Sequence, residues 1–280
     1  MKKVTALLML LACMIHNPLP AAGRWPFEVK ISGSAKQSLI FIPGFACGGD
    51  VWNETTALFD KQYTCYTLTM AGFAGAAPQS GASFQNWENA IADFIRTRHI
   101  VQPVLVGHSL GGGLVLALAA DYPDLISRIV VVDALPCLAA LRNPSFKATE
   151  KPDCSAMISQ ISAMSPESFY QMQRNGIKQL VTDTARIEQL VQWSMHSDRN
   201  TFAQLYCDFS NTDLREKLSN IKCPALILLE SYFVNIKPAI EQQYGQLKQA
   251  TLAYASKGLH FIMYDDWGWY EEKLSNFIHP

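Results

Sequence analysis

Acyl-transfer chemistry needs a nucleophile, a base and a group that orients the base. One stretch of this 280-residue chain offers the first of these, Val104-Leu-Val-Gly-His-Ser-Leu-Gly-Gly-Gly113. The apolar run Pro103–Val106 predicts a strand and Leu114–Ala120 a helix, so Ser109 lies in a G-x-S-x-G at a strand-to-helix turn. A turn that sharp strains the serine backbone and pushes the hydroxyl clear of the chain. Gly107 and Gly111 follow because a Cβ at either place would strike the neighbouring strand or helix. The helix N-terminus behind Ser109 favours negative charge building up nearby. A bare G-x-S-x-G also arises by chance. The strand before it, the helix after it and the third glycine make this one point to a nucleophile.

A serine hydroxyl is a weak nucleophile until a base takes its proton. Of six histidines, His16 falls in the N-terminal segment, His99 ends a surface helix, His196 sits in a helical region and His279 lies at the tail. His108 adjoins Ser109 but is expected to point elsewhere on the turn. His260 is left, in Ser256-Lys-Gly-Leu-His-Phe261. This glycine-containing loop between the last expected strand and the last expected helix can lift an imidazole to the C-terminal edge of a sheet. A purely structural histidine is the alternative.

The elements that would position these groups alternate. Phe27–Ile31 alternates like an edge strand, Ser38–Ile42 is a strand ending at Pro43-Gly44, and Asp50 is expected to cap a helix running to about Phe59. Cys65–Thr69 is a strand, Ala71–Gly81 a loop, and Ser83 caps a helix with Phe84, Trp87, Ile91, Phe94 and Ile95 at helical spacing. Ile129–Val132, all β-branched, is a strand buried on both faces. The strand signal then vanishes from about 136 to 219, a polar helical stretch with Met157, Met164, Met172, Met195 and Trp193 among its apolar residues. It resumes at Pro224–Leu229, followed by a helix (Pro238–Leu247), a strand near Thr251–Tyr254 and a last helix, Trp267–Ile278. The expected fold class is α/β: a mostly parallel central sheet with helices on both faces, interrupted by a helical cap insertion.

Charged residues make up 17% of the chain and the net charge is −1. Lys and Arg are scattered, without the basic stripe that nucleic acid requires. No metal-ligand spacing, P-loop or dinucleotide fingerprint occurs, so no cofactor is expected. At the N-terminus, Lys2 and Lys3 precede the apolar stretch Val4–Ile15 and then Ala21-Ala22-Gly23. This predicts an export signal over residues 1–22, a mature domain over 23–280, and a periplasmic or secreted protein. The stretch is short for a bilayer span, so no stable membrane span is expected in the mature form. A lipoprotein anchored at Cys13 is the weaker alternative, because Met14 and Ile15 extend the apolar run past it. Removing Cys13 leaves six cysteines, an even number that permits disulfides after export. Sequence-near pairs, Cys47–Cys65, Cys137–Cys154 and Cys207–Cys223, are among the possible pairings.

The chain resembles the α/β-hydrolase superfamily. The likeness is carried by Ile42-Pro43-Gly44-Phe45, Gly107-His108-Ser109-Leu110-Gly111-Gly112, Val132-Asp133-Ala134 and Gly258-Leu259-His260-Phe261. It implies Ser109 as nucleophile, His260 as base, and an oxyanion hole from the backbone N–H groups of Phe45 and Leu110. Many members have His-Gly where this chain has Pro43-Gly44. The acid is ambiguous. Members usually carry an Asp a few residues past the strand that here is Ala225–Leu229, where this chain has Phe233 instead. Asp133, closing the preceding strand, is the first candidate and Glu230 the alternative, while Asp265 and Asp266 are expected to cap the last helix. The implied reaction is serine-dependent hydrolysis of small or medium uncharged carboxylic esters. Thioesterase, lactonase or amidase chemistry, or a non-catalytic ligand-binding protein, are the alternatives.

Overall fold

The computed structural model describes residues 25–279. The expected export signal and the Cys13 anchor lie outside them. Seven strands form one sheet: β1 (Phe27–Ser32), β2 (Ser38–Ile42), β3 (Thr64–Met70), β4 (Val104–His108), β5 (Arg128–Val132), β6 (Ala225–Leu229) and β7 (Ala250–Tyr254). Their spatial order is β1-β3-β2-β4-β5-β6-β7. Only the β1–β3 pair is antiparallel.

The continuous apolar strands follow from burial on both faces. Alternate residues serve different cores. Ile40, Ile42, Leu105, Ile129, Val131 and Ile227 face one side, and Leu39, Phe41, Val106, Val130, Val132 and Leu228 the other. The helices in chain order are α1 (Asn53–Phe59), α2 (Phe84–Thr97), α3 (Leu110–Asp121), α4 (Ser155–Ala163), α5 (Pro166–Ile177), α6 (Thr184–Met195), α7 (Arg199–Ser210), α8 (Lys237–Gln243), α9 (Ile262–Asp265) and α10 (Trp267–Ile278). Helices α2 and α3 cover the first face, while α1 and α10 cover the second. Ser83 caps α2 as expected, its hydroxyl accepting from the Asn86 N–H at 3.1 Å. Asp50 does not cap α1: it lies inside a short 3-10 turn, Gly49–Trp52, that leads into the helix.

Helices α4–α7 fill the long connection between β5 and β6 and form the cap. Their apolar faces close a core of their own, with Ile161, Phe169, Phe202 and Ala203 against Ala46 and Phe45 of the main body. One disulfide, Cys154–Cys207, ties the start of α4 to α7 across a sequence separation of 53 residues. None of the sequence-near pairs forms, because Cys47, Cys65, Cys137 and Cys223 are buried separately as free thiols. Among the described residues, no helix is long and apolar enough to cross a membrane.

Candidate active site

Parallel pairing sets the tips of four adjacent strands level with one another. Ile42 lies opposite Gly107, His108 opposite Val132, and Val132 opposite Leu228. The ladder runs one bond further: the Ser109 N–H donates to the Val132 carbonyl at 2.9 Å and the Asp133 N–H to the Leu228 carbonyl at 2.8 Å. Phe45, Ser109, Asp133 and Glu230 therefore leave neighbouring strands on one edge of the sheet.

Ser109 sits at φ 53°, ψ −119°, a region non-glycine residues rarely occupy. Such strain persists only where the surroundings over-determine it, and here they do. A Cβ on Gly107 would lie 2.2 Å from the Gly111 carbonyl oxygen, and one on Gly111 2.2 Å from the Ile42 carbonyl oxygen. Close backbone approach at both glycines forces the turn and turns Ser109 toward a cavity of about 380 Å³ beneath the cap. His260, Asp133, Glu230, Phe45 and Leu135 line the same cavity.

Of the two candidate acids, Asp133 is the one that reaches the imidazole. His260 Nδ1 lies 2.7 Å from Asp133 Oδ2. The other Asp133 oxygen accepts the Glu230 backbone N–H at 2.7 Å. Asp133 is almost fully buried, and its φ of 48° aims the carboxylate across the strand ends. A carboxylate accepts only, so Nδ1 carries the proton and Nε2 is left with its lone pair. Glu230, the alternative acid, lines the cavity but makes no hydrogen bond to His260. Burial and the neighbouring Asp133 push its carboxyl up to about 7, opposed by His260.

Two groups support His260 in ways that local sequence does not signal. His108 is fully buried, and its Nε2 donates to the His260 carbonyl at 2.9 Å. Burial holds the His108 imidazole well below the usual histidine range, with the charge of His260 acting in the same direction. It therefore stays neutral and acts as a rigid donor. Asp265 does not cap the last helix as expected. Its carboxylate accepts the N–H of Leu259 at 2.9 Å and those of Thr182 and Asp183, on the cap, at 2.9 Å each. With the Phe261 N–H donating to the Leu180 carbonyl at 3.1 Å, the His260 loop is bonded to the cap on both sides. Asp266 accepts from the Ser256 hydroxyl instead of capping.

Phe45 and Leu110 occupy the positions expected to supply backbone donors. Leu110 is the first residue of α3, where N–H groups have no intrahelical acceptor. The Phe45 ring is held by Phe73, Phe202 and Tyr206, with centroids at 5.1, 4.6 and 5.6 Å. Cys47 also lines the cavity, but burial pushes its thiol up to about 12, leaving it a poor rival nucleophile. Among the described residues, no group of three His, Cys, Asp or Glu side chains could hold a metal ion.

Sheet order, serine turn and inserted cap define an α/β-hydrolase fold. A family model for that fold matches residues 37–153. The chain thus has the α/β-hydrolase fold with a helical cap, and over residues 37–153 it is similar to that family of esterases and related hydrolases. Among characterised relatives, it is 26% identical over 203 residues to the pimeloyl-[acyl-carrier protein] methyl ester esterase of Vibrio cholerae, covering 71% of this chain and 76% of that protein. The enzyme of the same name from Wigglesworthia glossinidia brevipalpis is 21% identical over 202 residues, covering 72% and 76%. The solved structure of an enol-lactonase from Burkholderia xenovorans matches with a TM-score of 0.74 at 15% identity, covering 91% of this chain and 96% of that one. A thermophilic esterase from Thermogutta terrifontis matches at 0.74 and 14%, covering 90% and 92%.

Proposed function

We propose that this protein hydrolyses small or medium carboxylic esters through an acyl-enzyme on Ser109. The observation that carries this reading is the 2.7 Å bond between His260 and Asp133, two residues 127 apart in sequence, at the cavity that Ser109 lines. In the proposed reaction, His260 Nε2 takes the Ser109 proton as Oγ attacks the ester carbonyl. Asp133 keeps Nδ1 protonated and stabilises the imidazolium that forms. The Phe45 and Leu110 amides hold the developing oxyanion, each contributing roughly 3 kcal/mol. His260 then protonates the leaving alcohol, and water releases the acid by the same steps. The relatives' names, a methyl ester esterase and an enol-lactonase, favour cleavage of a carboxylic ester over that of an amide.

Hydrolysis of p-nitrophenyl acyl esters by the wild type and by Ser109→Ala tests this reading. Rapid turnover that disappears in the variant is expected, and equal rates in the two would end it. Labelling by a fluorophosphonate separates an enzyme from a ligand-binding protein on the same fold, since only an activated serine reacts. We also propose that residues 1–22 direct export. The cap disulfide supports an oxidising compartment. N-terminal sequencing of the protein recovered from periplasm or medium tests this, with a mature start at about residue 23 expected and an intact Met1 refuting it.

A further inference from the structure

Of the histidines and carboxylates lining the cavity, His260 and Asp133 are assigned to the proposed reaction and His108 braces His260, which leaves the Glu230 carboxylate without a role. Its backbone N–H holds Asp133, but no donor among the described residues reaches its side-chain oxygens. Partly buried carboxylates are normally paired, because leaving one without a partner away from water is costly. The rest of the lining offers no cation. Lys and Arg are absent from it, and His260 is already bonded to Asp133. What the lining does offer is aromatic surface: Phe45, Tyr206, Phe209, Phe233 and Phe261. A carboxylate sharing a cavity with aromatic rings is the chemistry that recognises an organic ammonium ion, through ion pairing and attraction to the ring quadrupoles. It also repels a substrate bearing a second carboxylate.

The position of Glu230 says which part of the substrate this concerns. His260 returns its proton to the leaving alcohol, so the alcohol must lie against the imidazole. Glu230 follows β6 directly, beside Asp133, and is near enough to interact with the charge of His260. We infer that Glu230 and the aromatic rings lining the same cavity select esters whose alcohol carries an ammonium group. This rests on the ester-hydrolase reading above and departs from the uncharged ester expected from sequence.

The test compares two esters of one acid, a choline ester and its carbon isostere with a tert-butyl group replacing the trimethylammonium. The two differ in charge and hardly in shape. In mildly alkaline buffer the wild type is expected to favour the choline ester by at least about tenfold in kcat/KM. In Glu230→Gln that ratio is expected to fall toward one. Because the ratio is read, a general loss of turnover cancels. Equal kcat/KM for the two esters in the wild type overturns the inference while leaving the hydrolase reading intact, and does so even if the variant does not fold. An undiminished preference in Glu230→Gln also overturns it. Failure of the wild type to cleave either ester, together with no fluorophosphonate labelling, removes the hydrolase reading and this inference with it.

Discussion

Replacing Asp133 with Asn is the sharpest test of the site. Asp133 accepts two N–H groups, His260 Nδ1–H on one oxygen and the Glu230 amide on the other, each at 2.7 Å. Asparagine has nearly the same shape but only one acceptor oxygen. The Glu230 amide cannot lose its proton, so the asparagine oxygen stays with it and the NH₂ turns toward His260. The imidazole must then present Nδ1 as a lone pair and carry its proton on Nε2, the tautomer that cannot accept the Ser109 proton. In serine-protease triads the same tautomer exchange lowers kcat by about 10⁴, equivalent to roughly 5 kcal/mol of transition-state stabilisation. The expected result is a loss of that order in kcat with little change in KM or melting temperature. Steady-state kinetics on a p-nitrophenyl ester, the rate of fluorophosphonate labelling and a thermal melt together measure it. A folded Asp133→Asn protein retaining more than about a tenth of wild-type kcat would refute the tautomer argument.

Other predictions follow from packing and charge. Gly111→Ala places a Cβ 2.2 Å from the Ile42 carbonyl oxygen and 2.6 Å from that of Pro43. Since backbone cannot step aside cheaply, a loss of about 3 kcal/mol or more is expected in urea unfolding, and a change under about 0.5 kcal/mol would contradict the clash. Cys207→Ser opens a loop spanning a 53-residue separation; the chain-entropy model gives a loss of roughly 4 kcal/mol, to be read as a lower melting temperature that reductant no longer changes. Glu88 is almost fully buried between α2 and α3, and burial together with Asp121 pushes its carboxyl up from 4.5 to about 7. The folded state thus holds this proton more tightly than the unfolded chain, so the contribution is complete below about pH 4.5 and is lost as pH rises to about 7. Glu88→Gln should therefore raise stability above neutrality by about 2–3 kcal/mol and flatten the pH profile, whereas a variant less stable than wild type at alkaline pH would show that the carboxylate is accommodated.

Much of this was legible because it depends on neighbours in the chain. The serine turn needs only a strand, two glycines that let backbones touch, and a helix, all within ten residues of Ser109. β-Branched runs such as Ile129–Val132 mark strands covered on both faces, and the loss of that signal after Asp133 marks the cap. His260 was singled out as the candidate base by excluding other histidines and by its place in a loop after the last strand. Local pattern misled where a short polar side chain had several possible partners. Asp50, Asp265 and Asp266 each precede or begin a helical run, so each resembles a cap, yet Asp265 instead binds a cap loop 82 residues or more away in sequence.

By itself, then, the sequence determined the class of sheet, the serine at its edge and the presence of an insertion, since periodicity and steric turn rules are properties of contiguous residues. Which carboxylate meets His260, which two of six cysteines join, that His108 braces the His260 carbonyl, and that Glu230 is left facing the cavity were decided only by the tertiary structure. Each depends on the lateral order of strands or the folding-over of the cap. Those bring side chains 53 to 152 residues apart within bonding distance, and no short-range pattern encodes a distance across the sheet.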